Sequence, residues 1–488
     1  MQQSDWIIVG IVGFYLVVTT LIGFWQSRKV SRAREFALSR LTPFQAAAFL
    51  AGFTLGGAST YGVAGDTVKF GLTYLIWFPI SVALGWWVTG LLFAGPYYRE
   101  QGVTLPALMG RRYDDRTRFA SMLSMMIYTV FVIVIEIYTL SMIIRAIAPE
   151  LSMTVAAVIS LVACVGTVAF SGIMGASITN TIHSVTMVLA FGLVFLTMRS
   201  AVGGLGTAFE SIAEILPQID NEGVGYAAWI SPIGLGWGVV GQILLAKAGR
   251  LGGISAVSNL AASCRSEKEA RRSFWLAGLI SAVPPFLACA VGVLTAAYLG
   301  DSILDLPIYS SIGYAVAEFN PVLAGIFLAA VAAAILSTFS PLGVAFSSVF
   351  VEDIVKRLVE VPEKTEKWLY PVSLIVVASL CTIYVITAGI EHVMPFVFMT
   401  AFPCTIPNTL VALVGIRSQR TSSRAAFWAV ILGVAVSLFW GLVLDDPFGV
   451  PNILIALVVP LLILAGDWLV SLGRPRRAAP VPVEKASR

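Results

Sequence analysis

GFTLGGASTYGVAGDTVKFG, residues 52–71, is the stretch that decides the fold of this chain. It places six glycines and several hydroxyl side chains in an otherwise apolar region. Glycine weakens a helix, so this density of it disfavours a continuous one. Two interpretations compete: small residues that pack closely against neighbouring helices, and a helix that is interrupted and exposes its backbone. The glycines, followed by Asp66 and Lys69, favour the interrupted helix.

The rest of the chain is apolar enough to lie in a lipid bilayer. Of its 488 residues, 58% are hydrophobic and 12% are charged, and the mean hydropathy is +0.88. An ordinary soluble domain carries about 25% charged residues. The composition therefore predicts an all-α polytopic membrane protein. The net charge of +4 comes from residues in short loops, so it does not indicate nucleic-acid binding.

Apolar segments recur along the whole chain, and a helical crossing needs about 20 such residues. Thirteen are predicted, at roughly 6–26, 43–69, 73–96, 119–147, 152–171, 177–199, 228–247, 274–299, 321–350, 369–388, 392–415, 424–443 and 451–471. Two of the connections between them, 200–227 and 300–320, are long and alternate in polarity, which predicts short surface helices.

The basic residues fall almost entirely on one side of these thirteen crossings. The loops 28–40, 99–118, 247–272, 356–367, 417–424 and 474–488 together hold 28 of the 31 lysines and arginines. Cytoplasmic loops are enriched in such residues. The pattern predicts a multi-pass protein of the plasma (inner) membrane with its N-terminus outside and its C-terminus cytoplasmic.

The ninth segment contains a second irregular point, in LAGIFLAAVAAAILSTFSPLGVAFSS (323–348). Ser337, Thr338 and Ser340 cluster immediately before Pro341. Proline lacks the amide hydrogen that would bond to the carbonyl of Ser337. Hydroxyls around a proline kink are common in membrane helices, so this cluster alone does not indicate a binding site. It becomes a candidate site only together with the broken second segment.

Five stretches in the same order resemble the sodium/solute symporter family, which includes proline, pantothenate, sugar and sialic-acid carriers. Together they make a specific match over about residues 1–420. They are EFALSRLTPFQAAAFLAG (35–52), GGASTYGVAG (56–65) with FG (70–71), GVTLPALMGRRYDD (102–115), SEKEARRSFW (266–275), and AAAILSTFSPLG (332–343) with VEDIVK (351–356).

The resemblance implies a LeuT-type fold, in which two inverted repeats of five helices surround a site at the bilayer midplane. The first repeat would span about 43–199 and the second about 228–415. The transmembrane transporter domain would cover 1–472, followed by a polar cytoplasmic tail at 473–488. The implied function is sodium-coupled symport of a small organic solute by alternating access.

The resemblance also implies one sodium site, with sodium as the coupling ion and no other cofactor. Its ligands would be backbone carbonyls of the broken second helix and carbonyl and hydroxyl oxygens of the ninth. Neutral oxygens suit a hard monovalent cation. Position by position, these ligands fall on Gly57, Thr60, Ala334, Ser337 and Thr338.

The sixth segment departs from the family pattern. Where the family usually has an acidic residue, this chain reads TNTIH (179–183), with Asn180 and His183. Asn180 keeps an oxygen but lacks the charge, so a second sodium is not expected. His183 is a candidate for proton coupling, since histidine titrates near physiological pH, although a buried histidine is more often a packing residue.

Glu136 lies midway along the fourth segment, which in the family fold lines the substrate cavity. An ionisable residue at that depth is a functional candidate; the alternative is a structural hydrogen bond. In the substrate site it would favour a solute with an amine or several hydroxyls. Further substrate candidates are Ser59, Tyr61, Trp237 and Gln242.

Other classes of function are less consistent with the sequence. No HExxH, GxSxG or Walker motif occurs in a plausible setting, so the chain is not expected to be an enzyme. The expected partners are a small solute and the lipid bilayer, without nucleic acid or an obligate protein partner. A proton-coupled symporter or facilitator of the same fold, and a membrane solute sensor, remain as alternatives.

Overall fold

The computed structural model describes residues 3–27, 36, 38, 40–101, 104–148, 150–219, 221, 223–306, 308–387 and 393–472. Apart from an isolated parallel bridge between Leu41 and Cys264, their regular structure is helical. The predicted tail 473–488 and most of the predicted basic loop 28–40 lie outside the described residues.

The α-helices are numbered here in chain order. They are α1 (Gln3–Ser27), α2 (Pro43–Phe53), α3 (Val63–Phe70), α4 (Leu72–Thr89), α5 (Gly95–Glu100), α6 (Leu105–Arg112), α7 (Asp115–Ile147), α8 (Met153–Val168), α9 (Gly172–Val202), α10 (Leu205–Ile215), α11 (Tyr226–Trp229), α12 (Gly236–Ala248), α13 (Ser255–Ser263), α14 (Glu267–Leu299), α15 (Ile308–Phe319), α16 (Pro321–Phe350), α17 (Lys356–Leu358), α18 (Glu363–Thr387), α19 (Val393–Arg417), α20 (Ser423–Leu442) and α21 (Asn452–Leu472). Short π-helical turns occur at Ala58–Gly62, Gly90–Ala94 and Val351–Val355, and 3₁₀ turns at Leu216–Gln218, Leu251–Gly253, Gly300–Asp305 and Pro447–Gly449.

Nine helices of the described part are long and apolar enough to cross a membrane, judged by length and composition. Each of the thirteen predicted segments overlaps a helix, but α2, α8 and α12 are shorter than a full span. An all-α, multi-pass architecture is therefore confirmed, while the count of thirteen crossings stays a prediction. The predicted short helices in the two long connections are present as α10 and α15.

Polar caps set where several helices begin. The side chain of Thr42 accepts a hydrogen bond from the amide of Gln45 in a capping box at the start of α2. Asp114 caps α7 and Ser266 caps α14 in the same way. Such caps satisfy amides that lack a partner at a helix N-terminus. The first helical turn therefore follows the polar residue that precedes each apolar run.

The helix α16 lies at the centre of the bundle. From Ala324 to Val349 every residue except Ile326 is buried. It packs against α1, α2, α7 and α9. Its run of alanines allows this, because small residues let helix backbones approach closely without a bulky side chain between them. The helices α1 and α21 instead present large apolar side chains outward, such as Phe14 and Leu462, as expected for a surface that meets lipid.

A buried ion pair joins the end of α16 to the start of α7. The guanidinium of Arg118 lies 2.6 Å from the Asp353 carboxylate, whose side chain is 1% exposed. The other carboxylate oxygen accepts a hydrogen bond from Thr104 at 2.7 Å. Arg118 also donates to the backbone carbonyl of Glu352 at 3.2 Å. The carboxylate is thus fully engaged, and its charge holds three chain segments together at one end of the bundle.

We expect Asp353→Asn to destabilise the folded protein strongly. The substitution keeps the shape but leaves the partly buried Arg118 without a counter-charge, which costs about 3 kcal/mol or more. Glu100→Gln is the matched control, because the Glu100–Arg111 pair is 3.6 Å apart and about half exposed on both sides, and such pairs contribute about 0–1 kcal/mol. Thermal unfolding of the purified proteins measures both. Equal melting temperatures for the two variants would contradict this assignment.

Candidate functional site

The second apolar segment is interrupted, as the sequence predicts. The helix α2 ends at Phe53, and the amide of Thr54 turns back onto the carbonyls of Ala51 and Gly52. The chain then passes through Gly56 and Gly57 into the π-helical turn Ala58–Gly62 before α3 begins. Single π turns are frequent at functional sites. The break therefore brings irregular backbone into the buried interior, next to α16.

The end of α2 meets the hydroxyl cluster of α16. The Thr338 hydroxyl donates to the carbonyl of Gly52 at 2.7 Å, and the Ser337 hydroxyl lies 3.4 Å from the same oxygen. The Ser337 hydroxyl also lies 2.8 Å from the carbonyl of Ala334. All of these residues are buried. Four neutral oxygens from two helices thus converge, and we call them the oxygen cluster (Gly52 O, Ala334 O, Ser337 Oγ and Thr338 Oγ1).

Gly57 and Thr60, the other two predicted ligands, lie further along the break. The amide of Gly57 donates to Glu136, and the hydroxyl of Thr60 donates back to the carbonyl of Gly56 at 3.2 Å. The glycine that faces the hydroxyls is Gly56, where an added Cβ would lie 3.0 Å from Thr338 Oγ1. The structure therefore places the carbonyl of Gly52, at the end of α2, in the oxygen cluster. The predicted carbonyls of Gly57 and Thr60 lie at least one turn later in the chain.

Asn180 lies against the same cluster. Its amide nitrogen donates to the carbonyl of Ser337 at 2.9 Å. Pro341 cannot supply the helical hydrogen bond to this carbonyl, and Asn180 takes its place. A Cβ added to Gly52 would lie 2.6 Å from the same amide nitrogen. A neutral side chain on α9 thus binds α16 and packs directly against the end of α2.

His183, the other coupling candidate, faces α1. Its Nδ1 lies 2.5 Å from the hydroxyl of Tyr15, and the ring is fully buried. Its second ring nitrogen is buried without a hydrogen-bond partner within the described ranges. The structure places this histidine one helical turn from Asn180 along α9, with its nearest polar contact on a different helix from the oxygen cluster.

Glu136 faces the break from α7. One of its carboxylate oxygens accepts a hydrogen bond from the amide of Gly57 at 3.2 Å, and the side chain is buried. An added Cβ on Gly56 would overlap the other oxygen, Glu136 Oε1. Gly56 thus separates this carboxylate from Thr338, and the absence of a side chain there lets both approach. Glu136 is the carboxyl group beside the oxygen cluster.

The structure adds Lys247, which the sequence places in a predicted basic loop. It lies in the last turn of α12 and is 1% exposed. Its ammonium donates to the Ser59 hydroxyl at 3.0 Å and lies 4.8 Å from the centre of the Phe78 ring. Arg250, from the same predicted loop, is 2% exposed. The loop begins later than predicted because α12 and the 3₁₀ turn after it remain inside the bundle. A lone lysine at the end of an apolar run was the available signal.

The remaining substrate candidates do not converge. Ser59 is buried beside Lys247, whereas Tyr61 packs on Phe327, with ring centres 6.3 Å apart. Trp237 is 65% exposed and contacts Trp77 on α4, so it lies at the outer part of α12 and not in the interior. Gln242 is partly buried on the same helix. Lys247, in the last turn of α12, contacts Ser59 in the break, whereas the exposed Trp237 is not part of the central group.

The sequence profile described as the Sodium:solute symporter family matches residues 36–433, most of the chain. The chain belongs to this family. It is similar to the Sodium/proline symporter of Escherichia coli (strain K12), 27% identical and covering 75% of this chain and 74% of the relative. It is also similar to the Osmoregulated proline transporter OpuE of Bacillus subtilis (strain 168), 23% identical over 88% and 87%, and to the Sodium/glucose cotransporter 4 of Danio rerio, 23% identical over 91% and 73%.

Solved structures agree on the fold. A Na+-coupled sialic acid symporter in a substrate-bound outward-open state superposes with a TM-score of 0.79 at 18% identity, over 97% of this chain and 99% of that chain. MhsT in complex with L-phenylalanine gives 0.58 at 13% identity, over 89% and 99%. This family member is thus a membrane protein of LeuT-type fold that carries out sodium-coupled solute symport, and it is a transporter and not an enzyme.

We expect Gly56→Ala to impair transport. The added methyl would overlap the Glu136 carboxylate and crowd Thr338, and such overpacking costs about 1–3 kcal/mol. Since the strain falls on the break, sodium-driven solute uptake into proteoliposomes should drop at least about tenfold, with 1.4 kcal/mol corresponding to tenfold.

Gly10→Ala on α1 is the control for this substitution, because a Cβ there meets no atom within 4 Å. The control should insert, melt and transport like the wild type. Equal uptake by the two variants would show that the close approach at Gly56 is not required.

Proposed function

We propose that the coupling sodium binds in the oxygen cluster, between the broken end of α2 and α16. The observation that carries the proposal is the convergence of Gly52 O, Ser337 Oγ and Thr338 Oγ1 within hydrogen-bonding distance. Four neutral oxygens with no competing ammonium suit a hard monovalent cation. The family resemblance assigns the carbonyls of Gly57 and Thr60 as well; the contacts of α16 favour the preceding turn, at Gly52 and Gly56.

Sodium in this position would couple ion binding to a change in shape. The ion would join the unwound segment of the second crossing to α16, so binding would order the break and complete the solute site beside it. Inward opening would then release both. One charge moving through about 100 mV supplies about 2.3 kcal/mol, roughly a forty-fold gradient of solute.

The finer topology belongs to the same proposal. Thirteen crossings, with inverted repeats at about 43–199 and 228–415, would place the sodium site where the two repeats meet. The excess of basic residues on one side supports an external N-terminus and a cytoplasmic C-terminus in the plasma membrane. Lys247 and Arg250 are buried and can be removed from the count of loop residues. The predicted cytoplasmic loops then still hold 26 of the 31 lysines and arginines.

A single sodium per cycle is consistent with the neutral Asn180 at the cluster. Proton coupling through His183 is the second candidate, because its unpartnered ring nitrogen is buried. Imposed gradients separate the two. Uptake driven by a sodium gradient at equal pH on both sides supports the first; uptake driven only by a proton gradient overturns it. Ligand binding without movement into vesicles would indicate a sensor.

The oxygen cluster predicts a sodium phenotype for two substitutions. Thr338→Val and Ser337→Ala each remove one hydroxyl and little volume. We expect each to raise the sodium concentration for half-maximal uptake about tenfold, equivalent to about 1.4 kcal/mol of lost ion binding.

Ser348→Ala is the control for both, because that hydroxyl donates to the carbonyl of Val344 within α16, away from the break. Its sodium dependence should equal that of the wild type. Unchanged sodium dependence in both Thr338→Val and Ser337→Ala would place the ion elsewhere.

Glu136→Gln tests what the buried carboxylate does. Because Glu136 faces Thr338 across Gly56, we expect loss of its charge to weaken sodium binding about fivefold or more at an effective dielectric constant near 20. Sodium titration at saturating solute measures this, and Glu318→Gln on the exposed part of α15 is the control. A raised KM for solute with unchanged sodium dependence would instead support the substrate role predicted from the sequence.

A further inference from the structure

Lys247 is a buried cation with too few partners. An ammonium group has three donor hydrogens, and the Ser59 hydroxyl at 3.0 Å takes one of them. The rings of Phe78 and Phe402 lie 4.8 and 5.7 Å from its nitrogen. No carboxylate of the described residues comes within 4 Å of it. A charge removed from water needs a counter-charge or hydrogen bonds to remain stable, and this site supplies one hydroxyl and two aromatic faces.

A second buried cation makes the shortage larger. The guanidinium of Arg250 lies 4.0 Å from the centre of the Phe402 ring and donates to Tyr128 and to the carbonyl of Ala246. It too has no carboxylate within 4 Å in the part of the chain that is described. Lys247 and Arg250 therefore approach the same ring with like charges. An anion between or beside them would relieve that repulsion.

Glu136 supplies counter-charge only from a distance: it attracts Lys247 electrostatically, but its carboxylate oxygens are not within 4 Å of the ammonium. Its carboxylate bonds to the amide of Gly57 and faces Thr338 across Gly56, so it borders the oxygen cluster, where a cation is proposed. One carboxylate also leaves one of the two cations unmatched. The carbonyl end of α12, at Ala248, favours a cation nearby, but helix dipoles act weakly next to the cost of a buried unpaired charge.

We propose that Lys247, together with Ser59, binds a carboxylate group of the transported solute, so that the transporter takes carboxylate-bearing solutes. The inference rests on the proposed function and names its substrate class. Charge-assisted hydrogen bonds between an ammonium and a carboxylate are short and strong, and the Ser59 hydroxyl can donate to a carboxylate oxygen while Lys247 holds it. Neutral solutes of the same shape leave the ammonium unpaired and bind poorly.

The test begins with thermal unfolding of the purified full-length protein, with and without sodium. The probes are the twenty amino acids, acetate, lactate and sialic acid, with acetamide, lactamide, prolinamide and glucose as solutes without a carboxylate. We expect at least one carboxylate to raise the melting temperature in sodium and its matched amide to have no effect. N-acetylproline against proline distinguishes a simple carboxylate from an amino acid.

Three variants then assign the effect to this residue. Lys247→Met removes the charge and keeps the length, and it should weaken the apparent affinity for the active carboxylate at least tenfold. Lys247→Arg should recover part of that loss. Lys268→Met, at an exposed lysine near the start of α14, should behave as the wild type. Sodium alone should stabilise all three equally, which shows that they fold and keep the ion site.

The outcomes separate this proposal from the one it rests on. If glucose or an amide protects and no carboxylate does, or if Lys247→Met binds the carboxylate like the wild type, the carboxylate proposal is overturned while sodium-dependent stabilisation keeps the sodium site. The carboxylate proposal is also overturned if none of the probes protects the protein. If Lys247→Met loses carboxylate binding but sodium has no effect on any protein, the substrate class stands and the sodium site fails.

Discussion

The break at Gly56 and Gly57 is the constraint on which the rest of the site depends. In a bilayer interior every backbone group needs a partner from the protein, and an interrupted helix leaves several without one. Neighbouring helices add partners: α7 offers the Glu136 carboxylate to the amide of Gly57, and α16 adds two hydroxyls to the carbonyl of Gly52, which also accepts from the amides of Thr54 and Leu55. In the proposed sodium site the same oxygen atoms would bind the ion, so stability and function would use the same groups.

A second backbone gap on α16 reinforces the first. Pro341 frees the carbonyl of Ser337, and Asn180 on α9 fills that place. Because the hydroxyl of Ser337 points to Gly52 while its carbonyl is held by Asn180, one residue connects three helices. The cluster is thus anchored on the buried centre of the bundle, in α16. The end of α2 contributes the interrupted backbone to it.

The all-helical, multi-pass architecture and the interruption after α2 could be predicted from the sequence, for identifiable reasons. Glycine density and the hydroxyls before Pro341 are local signals: the first marks the break after α2, and the second marks a carbonyl of the continuous helix α16 that lacks its helical hydrogen bond. The sequence does not show which carbonyl of the second segment contacts Thr338, because Gly52, Gly56 and Gly57 are equivalent as sequence signals. Packing against α16 selects the carbonyl of Gly52. Lys247 was misassigned because a cation at the end of an apolar run is usually in a loop. Its burial depends on α12 continuing into the bundle, and a lone lysine at the end of an apolar run is only a weak local sign of that tertiary arrangement.

The charges around the break give a physical basis for coupling. Two buried cations, Lys247 and Arg250, stand against one buried carboxylate, Glu136. In the proposed sites, a sodium ion arriving alone would be stabilised by Glu136 but would add to an interior that is already positive. An anionic group of the solute at Lys247 would offset that excess. Each ligand therefore lowers the electrostatic cost of binding the other, and linkage requires the effect to be equal in both directions. Sodium and an anionic solute would favour each other's binding because their opposite charges attract in a medium that screens charge poorly.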